Sequence, residues 1–508
     1  MSLMGVDVGT TGVKAVVFDD KGAQIASAYE EYPLHFPFPG ASELDSNGVI
    51  NASLRVISKA AKDAAPISPV KAIGIASQGE AFTPLAPDGR ILGNAMTSSD
   101  NRVEPYVRSW SDKFGYEHLY ATTGHAPYTI HSLYKMLWLK DHQPDVWRDA
   151  WKFLFFEDLI AYVLTGETKV DYSLAARSML FDIRTKKWSS EICGALEIDT
   201  AKLPEPVPSG EIVGKIKKDL AESLGLNSDV TVSAAGHDQP VGALGCGAAS
   251  PGLASYSIGT VECITPLFDK PIQSPELMAA NLAMYPHVLP DMYTSVAFNL
   301  TGGSGLRWLR DNIATEEANT ARANGEDPYD CIVAAASQEP SNLVLLPHFG
   351  PTGTPHFNPI ATGALFGISL STTRAEVFRA FLEGITYELK WNLTILKDSG
   401  FDLKELRVVG GGARSAVWMQ IKSDILGVPL KTMRVTEATC MGAAILAGSG
   451  AGMLDAAETS AKWASPIRTF IPREEFTQLY QDRFDIYKDL YYALDSARRK
   501  LHILKRKG

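Results

Sequence analysis

A mixed α/β fold built from two large, related units is what this sequence predicts, and three observations carry the expectation. The chain has 508 residues, well beyond the roughly 250–300 at which a single hydrophobic core stops growing. β-like runs alternate with runs of helical period along most of its length. A strand–Gly-Thr–strand pattern opens the chain and returns near residue 250, so an internal duplication is expected there.

The elements follow in order. Met4 to Asp19 is a pair of β-like runs around Gly9-Thr10-Thr11-Gly12, and Asp19-Asp20-Lys21-Gly22 closes a second hairpin. Met1-Ser2-Leu3, ahead of the second Met4, is read as an addition outside the fold. Ala72–Ala76, Val230–Ala234 and Glu405–Val409 are short apolar strands, each ending at a Gly or small polar turn. Ala254 to Ile264 repeats the opening plan around Gly259-Thr260. Between Ala375 and Leu393, Phe378, Phe381, Leu382, Ile385 and Leu389 recur at helical spacing and form a core-facing stripe.

Composition narrows the class. Hydrophobic residues are 45% and charged residues 21%, a balance that supports a sizeable core and argues against disorder. The net charge of −10 speaks against a general nucleic-acid binder, which needs Lys and Arg for phosphates. It leaves nucleotides open, because backbone N–H groups and a metal ion can hold those. The five cysteines include no CxxC pair, so neither a disulfide framework nor a zinc site is expected. No secretory leader or membrane-length apolar run is visible, and a cytoplasmic, membrane-free protein is expected. The basic tail from Arg498 onward is read as a solvated helix end that complements the helix dipole.

Three segments carry chemistry. The turns Gly9-Thr10-Thr11-Gly12, followed by Lys14, and Gly259-Thr260 offer close-approaching N–H groups and hydroxyls to a polyphosphate; each is equally an ordinary hairpin turn. No GxxxxGK[ST] loop is present, so a nucleotide site here has another design. Asp7, beside the first turn, is a candidate Mg²⁺ ligand or a turn-forming carboxylate. Asp238, after a strand and Gly236, suits either a general base or a helix N-cap. The run Gly410-Gly411-Gly412-Ala413-Arg414-Ser415 is a Gly-rich strand-to-helix turn with room for a flat nucleoside.

These segments together resemble the FGGY carbohydrate kinases. GVDVGTTGVKAVVFDDKG and YSIGTVECI are similar to the family's phosphate motifs, GHDQPVGALG to its catalytic-aspartate segment, and GGGARSAVWMQIKSDILGVPL to its adenosine segment. TGGSGLRWLRD, RAFLEGITYELK and EATCMGAAILAG match further blocks in the family's order. The resemblance implies two ribonuclease-H-like domains of the actin-like ATPase type, spanning 1–248 and 249–508, with ATP and sugar meeting in the cleft. It implies Asp238 as the base and Asp7 as the organiser of Mg²⁺. It places Thr10, Thr11, Lys14, Gly259 and Thr260 on the phosphates, and Gly302, Gly411, Gly412 and Ser415 around the nucleoside.

The implied sugar contacts are Gln78, Glu80, Asp100, Arg102, Asp238 and Gln239. Here the sequence departs from well-known members. Xylulose kinases usually carry His at the place of Glu80; Gly79, Ser98 and Ile130 stand where glycerol kinases carry Arg, Trp and Tyr. Losing that bulk argues for a sugar or polyol larger than glycerol, a ketose or alditol of four to six carbons. Xylulose or glycerol kinase activity proper is the alternative reading. Glu80 either accepts from substrate hydroxyls or pairs with Arg102 as a structural bridge. An actin-like ATPase without a sugar and a sugar sensor without catalysis remain in competition. The expected partner is a small sugar or polyol, with a homodimer left open.

Overall fold

The opening hairpin and its repeat each seed a sheet of the same layout. In the computed structural model, which describes residues 1–505, β1 (Ser2–Val8), β2 (Gly12–Phe18) and β3 (Gln24–Glu31) form an antiparallel meander. β4 (Val70–Ser77) joins β1 in parallel, and β5 (Ile212–Lys215) and β6 (Thr231–His237) complete the order β5-β6-β4-β1-β2-β3. The second sheet begins with the antiparallel pair β7 (Leu253–Ile258) and β8 (Glu262–Phe268). Short β9 (Tyr285–Pro286), β10 (Tyr293–Thr294) and β11 (Ala297–Asn299) extend it on the β8 side. On the other side β12 (Glu405–Val409) and β13 (Leu430–Met433) run parallel to β7, and β14 (Pro466–Phe470) closes the edge antiparallel. In both sheets a hairpin is followed by two parallel strands, then an antiparallel edge. The repeat read from the two Gly-Thr turns is therefore a repeat of topology.

Each sheet is covered by helices whose apolar stripe faces it. α1 (Ser46–Ala64), capped by Asp45, buries Val49, Ala52, Val56, Ile57 and Ala60 at helical spacing. The stripe read between residues 375 and 393 lies in a longer helix, and all five of its named side chains are buried. The first strand begins at Ser2 rather than Met4. Leu3 is buried and Ser2 Oγ donates to the Ser68 carbonyl, so these residues belong to the sheet and are no addition to it.

Two small-residue helices lock the halves together. α2 (Asp238–Gly245) leaves the first sheet, and α3 (Ala438–Gly450), from the C-terminal half, lies across that sheet and against α2. A Cβ on Gly5 would sit 1.7 Å from the Cys440 carbonyl oxygen, one on Gly74 2.0 Å from that of Ala443, and one on Gly442 1.9 Å from that of Val241. Glycine at these points lets backbones touch. Residues 249–508 are thus not a self-contained layer, because α3 completes the core of the other half.

The five cysteines are free, and no described helix is long and apolar enough to cross a membrane. The C-terminal helix departs in part from expectation. Arg498 is buried over the Tyr491 ring, its guanidinium carbon 4.2 Å from the centroid, so this end of the basic tail packs rather than solvates. Residues 506–508 lie outside the described part.

Candidate active site

The ends of β1, β4 and β6 bring the N-terminal candidates to one edge. β1 delivers Asp7 and the Gly9–Gly12 turn, which closes through Gly9 N–H donating to the Gly12 carbonyl at 3.0 Å. β4 delivers Gln78. Thr10 Oγ1 donates to Gln78 Oε1 at 2.8 Å, and Gln78 Nε2 donates to the Gly9 carbonyl at 3.2 Å. β6 delivers His237 and Asp238, with His237 as the N-cap residue and Asp238 as the first helical residue. The N-cap reading of Asp238 therefore does not hold. Its side chain is 26% exposed and faces the cleft.

Three cavities run in series along that edge. One of about 530 Å³ is bounded by Gln78, Glu80, Asn101, Arg177, Asp238 and Gln239, among others. Asp238 and Gln239 also bound the next, of about 160 Å³, together with Asp7 and Glu437. That one shares Val409, Gly410, Thr436 and Glu437 with a third, of about 510 Å³, which Gly411 also lines. Asp238 therefore stands at the junction of the first two.

At the junction, burial and neighbouring carboxylates outweigh the nearby cations. Burial, then the charges of Asp7 and Glu80, push the Asp238 carboxyl up to about 7, against Arg177. Burial and Glu437 push Asp7 up to about 6, against Lys14. Asp7 Oδ1 is buried without a hydrogen-bond partner, which is costly unless a cation meets it. Among the described residues no group of three His, Cys, Asp or Glu is arranged for a metal. The donor set suits Mg²⁺ taken with phosphate and water oxygens and one protein carboxylate. Lys14 reaches across to the start of α3, its Nζ 2.8 Å from Glu437 Oε2.

The second turn is built differently. Gly259 and Thr260 form an exposed tip. Backbone N–H groups of Gly303 and Ser304, at the start of a helix, donate to the Gly259 and Thr260 carbonyls at 2.9 and 3.1 Å. Beneath it Glu262 accepts from Lys422 at 3.0 Å and from the Tyr256 hydroxyl at 2.6 Å, all fully buried. A Cβ on Gly302 would meet Glu262 Cγ at 2.6 Å, and one on Gly412 would meet Ile258 Cγ2 at 2.3 Å. Neither position has room for a side chain. Ser415 caps the helix Ala416–Leu426 by accepting from Trp418 N–H at 3.4 Å. Gly411 alone in this group has nothing within 4 Å of an added Cβ.

In the substrate cavity the structure corrects two expectations. Asp100 is fully buried and accepts from the Ser42 N–H and from Arg102. Arg102 also pairs with Glu43 at 2.7 Å and lies between the Phe38 and Trp138 rings. Both stand behind the wall, braced by each other, and Asn101 between them faces the cavity. Glu80 does not meet Arg102 either. Its partner is Arg177, whose Nε donates to Glu80 Oε1 at 2.6 Å and whose second terminal nitrogen donates to the same oxygen. Glu80 holds a left-handed backbone with φ 67°, an unusual state for a residue with a Cβ. Single-oxygen pairing leaves Oε2 for the cavity.

Several residues of the site went unread. Arg177 comes from a short helix-end turn with no local signature. His125 and His131 pack beside it, held well below the usual imidazole range by burial and then by its charge. His237 Nδ1 lies 3.0 Å from the Tyr285 hydroxyl and Nε2 lies 3.3 Å from Asp238 Oδ1. Only adjacency to Asp238 pointed to His237.

Comparison with known proteins gives the family. Residues 2–245 match the FGGY family of carbohydrate kinases, N-terminal domain, and residues 254–451 its C-terminal domain. A xylulose kinase of Staphylococcus epidermidis is 30% identical over 492 residues, 96% of each chain. A glycerol kinase of Pediococcus pentosaceus is 30% identical over 516 residues, 98% of each chain. Among solved structures, ligand-bound xylulose kinase from Lactobacillus acidophilus superposes with a TM-score of 0.90 at 25% identity, over 98% of this chain and 99% of that one. A cleft with a carboxylate at the junction of two cavities, two Gly-Thr hairpins and family models over both halves lead to one assignment: the chain belongs to the FGGY family and is a carbohydrate kinase.

Proposed function

We propose that the enzyme transfers the γ-phosphoryl group of ATP to a hydroxyl of a sugar or polyol of four to six carbons, with Asp238 as general base. The position of Asp238 at the junction between substrate cavity and Asp7 cavity is the observation that supports this most. The substrate oxygen attacks phosphorus as its proton passes to the Asp238 carboxylate, and ADP departs. Phosphoryl transfer of this kind needs alignment and charge neutralisation more than covalent help.

His237 sets the carboxylate. Burial and then Arg177 hold its imidazole neutral. With the Tyr285 hydroxyl donating to Nδ1, Nε2 carries the hydrogen and faces Asp238 Oδ1. Oδ2 is then left for the substrate. Asp7 would hold Mg²⁺, which supplies charge neutralisation at the phosphates when bound. Thr10, Thr11 and the Gly259–Thr260 turn are assigned to the phosphates, and Gly411 to the nucleoside. Gln78 and Glu80 Oε2 are assigned to substrate hydroxyls.

Asp238→Asn tests the base. It should keep fold and nucleotide binding and lower turnover by roughly 10²-fold or more; near-normal sugar phosphorylation would remove Asp238 from that role. Gly411→Leu tests the nucleoside site at a position where an added Cβ meets nothing within 4 Å. It should raise the KM for ATP far more than that for sugar.

A further inference from the structure

The substrate cavity has two chemically distinct sources of wall. Residues 78–101, 125–131, 177 and 237–239 bring nearly all of its amides, carboxylates, imidazoles and its guanidinium. The C-terminal half contributes Val261, Val296, Phe298, Leu300, Pro351 and Phe357. Val261 and Leu300 line the cavity and are 39% and 38% exposed. Phe357 stacks on Tyr128 from the other half with ring centroids 4.1 Å apart, and Phe298 lies 5.8 Å from Phe357, which makes one corner aromatic. Asn281 is the amide on this wall, and it is engaged: its oxygen accepts from Tyr116 and its nitrogen donates to the Pro355 carbonyl. A hydroxyl laid against the Val261, Val296, Phe298 and Leu300 side chains loses water and gains no side-chain partner from them.

We infer that the preferred substrate is a deoxy sugar, one that turns a methyl or methylene group to the apolar wall while its remaining hydroxyls meet the polar one. This rests on the sugar-kinase reading and deepens it. The polar wall matches vicinal hydroxyls through Glu80 Oε2, Gln78 and Asn101. The apolar wall gives a terminal methyl the burial that a terminal hydroxymethyl cannot use. Discrimination by an apolar pocket is modest, on the order of tenfold or somewhat more for one group.

The test is sugar-dependent ADP release with Mg·ATP over pentuloses and hexuloses, each beside counterparts deoxygenated at one terminus or the other. Using both termini guards against removing the acceptor hydroxyl itself. A kcat/KM for one deoxy counterpart about tenfold or more above its parent is expected. Val296→Thr, nearly isosteric, should narrow that ratio and leave the KM for ATP unchanged. Parents phosphorylated as well as both counterparts would overturn the inference and leave the kinase reading intact. A deoxy preference untouched by Val296→Thr and by Leu300→Asn would overturn the wall as its cause. Failure of every one of these ketoses and deoxy ketoses to release ADP would overturn this inference; failure of four- to six-carbon alditols and tetruloses as well would overturn the proposed substrate range.

Discussion

Gln78 grips the first Gly-Thr turn from inside the substrate cavity, accepting from Thr10 Oγ1 at 2.8 Å and donating to the Gly9 carbonyl at 3.2 Å. One side chain therefore touches the place assigned to the sugar and the loop assigned to the phosphates. Gln78→Leu keeps the volume and loses both bonds. It should raise the KM for ATP and for sugar together and lower kcat/KM about tenfold, as expected for one or two lost polar contacts. Steady-state kinetics with each substrate varied in turn would check it; a change confined to sugar would show the contact carries no coupling.

The junction carboxylates predict a pH profile. Asp238 must be ionised to accept a proton, so kcat/KM for sugar should rise with pH through a limb between about 6 and 7, shared by the Asp7–Asp238 pair. Asp7→Asn removes a repelling charge, and the residual limb should move to lower pH. For stability the sign is opposite. Both groups hold their protons to higher pH in the folded state than the usual 3.8. Their contribution is complete below about pH 4 and lost as pH rises through 6 and 7. Denaturant midpoints of nucleotide-free protein across pH 4–8 would read this, with a flatter profile in Asp7→Asn/Asp238→Asn.

Removal of Mg²⁺ by chelation should stop turnover and cut the thermal stabilisation given by ADP. Wild-type protein should show a larger Tm rise with Mg·ADP than with ADP alone, and Asp7→Asn should lose most of that difference. Equal shifts in the variant would take Asp7 out of the metal site.

Glu80 and Arg177 are buried together, with side chains 5% and 11% exposed. Removing Arg177 alone leaves a carboxylate in a low-dielectric wall, and Arg177→Leu should cost about 3–5 kcal/mol. Glu80→Leu/Arg177→Leu should cost clearly less than the two single changes summed. Urea denaturation of the four proteins measures the coupling; additive costs would mean the pair is solvated.

The crossing of α2 and α3 gives a packing prediction. Gly442→Ala puts a Cβ 1.9 Å from the Val241 carbonyl oxygen, so the helices must separate. A loss of about 1–3 kcal/mol is expected, with lowered turnover because Asp238 begins α2. Wild-type stability in this variant would show that the contact yields freely.

What the sequence determined by itself is local or periodic. Strands and helical stripes declare themselves through side-chain period, as at 405–409 and 378–389, and glycines through turns that need them. The two Gly-Thr hairpins told of repeated topology because each hairpin is a short-range structure. The tertiary structure decided the pairings between distant residues. Glu80 looked toward Arg102, only 22 positions on, yet Arg102 is claimed by Asp100 and Glu43, and Glu80 meets Arg177. Gly302 and Gly412 are nucleotide contacts by resemblance, and only the fold shows that their missing Cβ atoms also make room for Glu262 and Ile258. The apolar wall of the substrate cavity had no signature at all, since Val296, Phe298 and Phe357 look like any core residues until folding sets them against Glu80 and Gln78. A charge or a methyl group acquires its role from what the chain brings within a few ångströms of it, and sequence spacing carries that only inside one element.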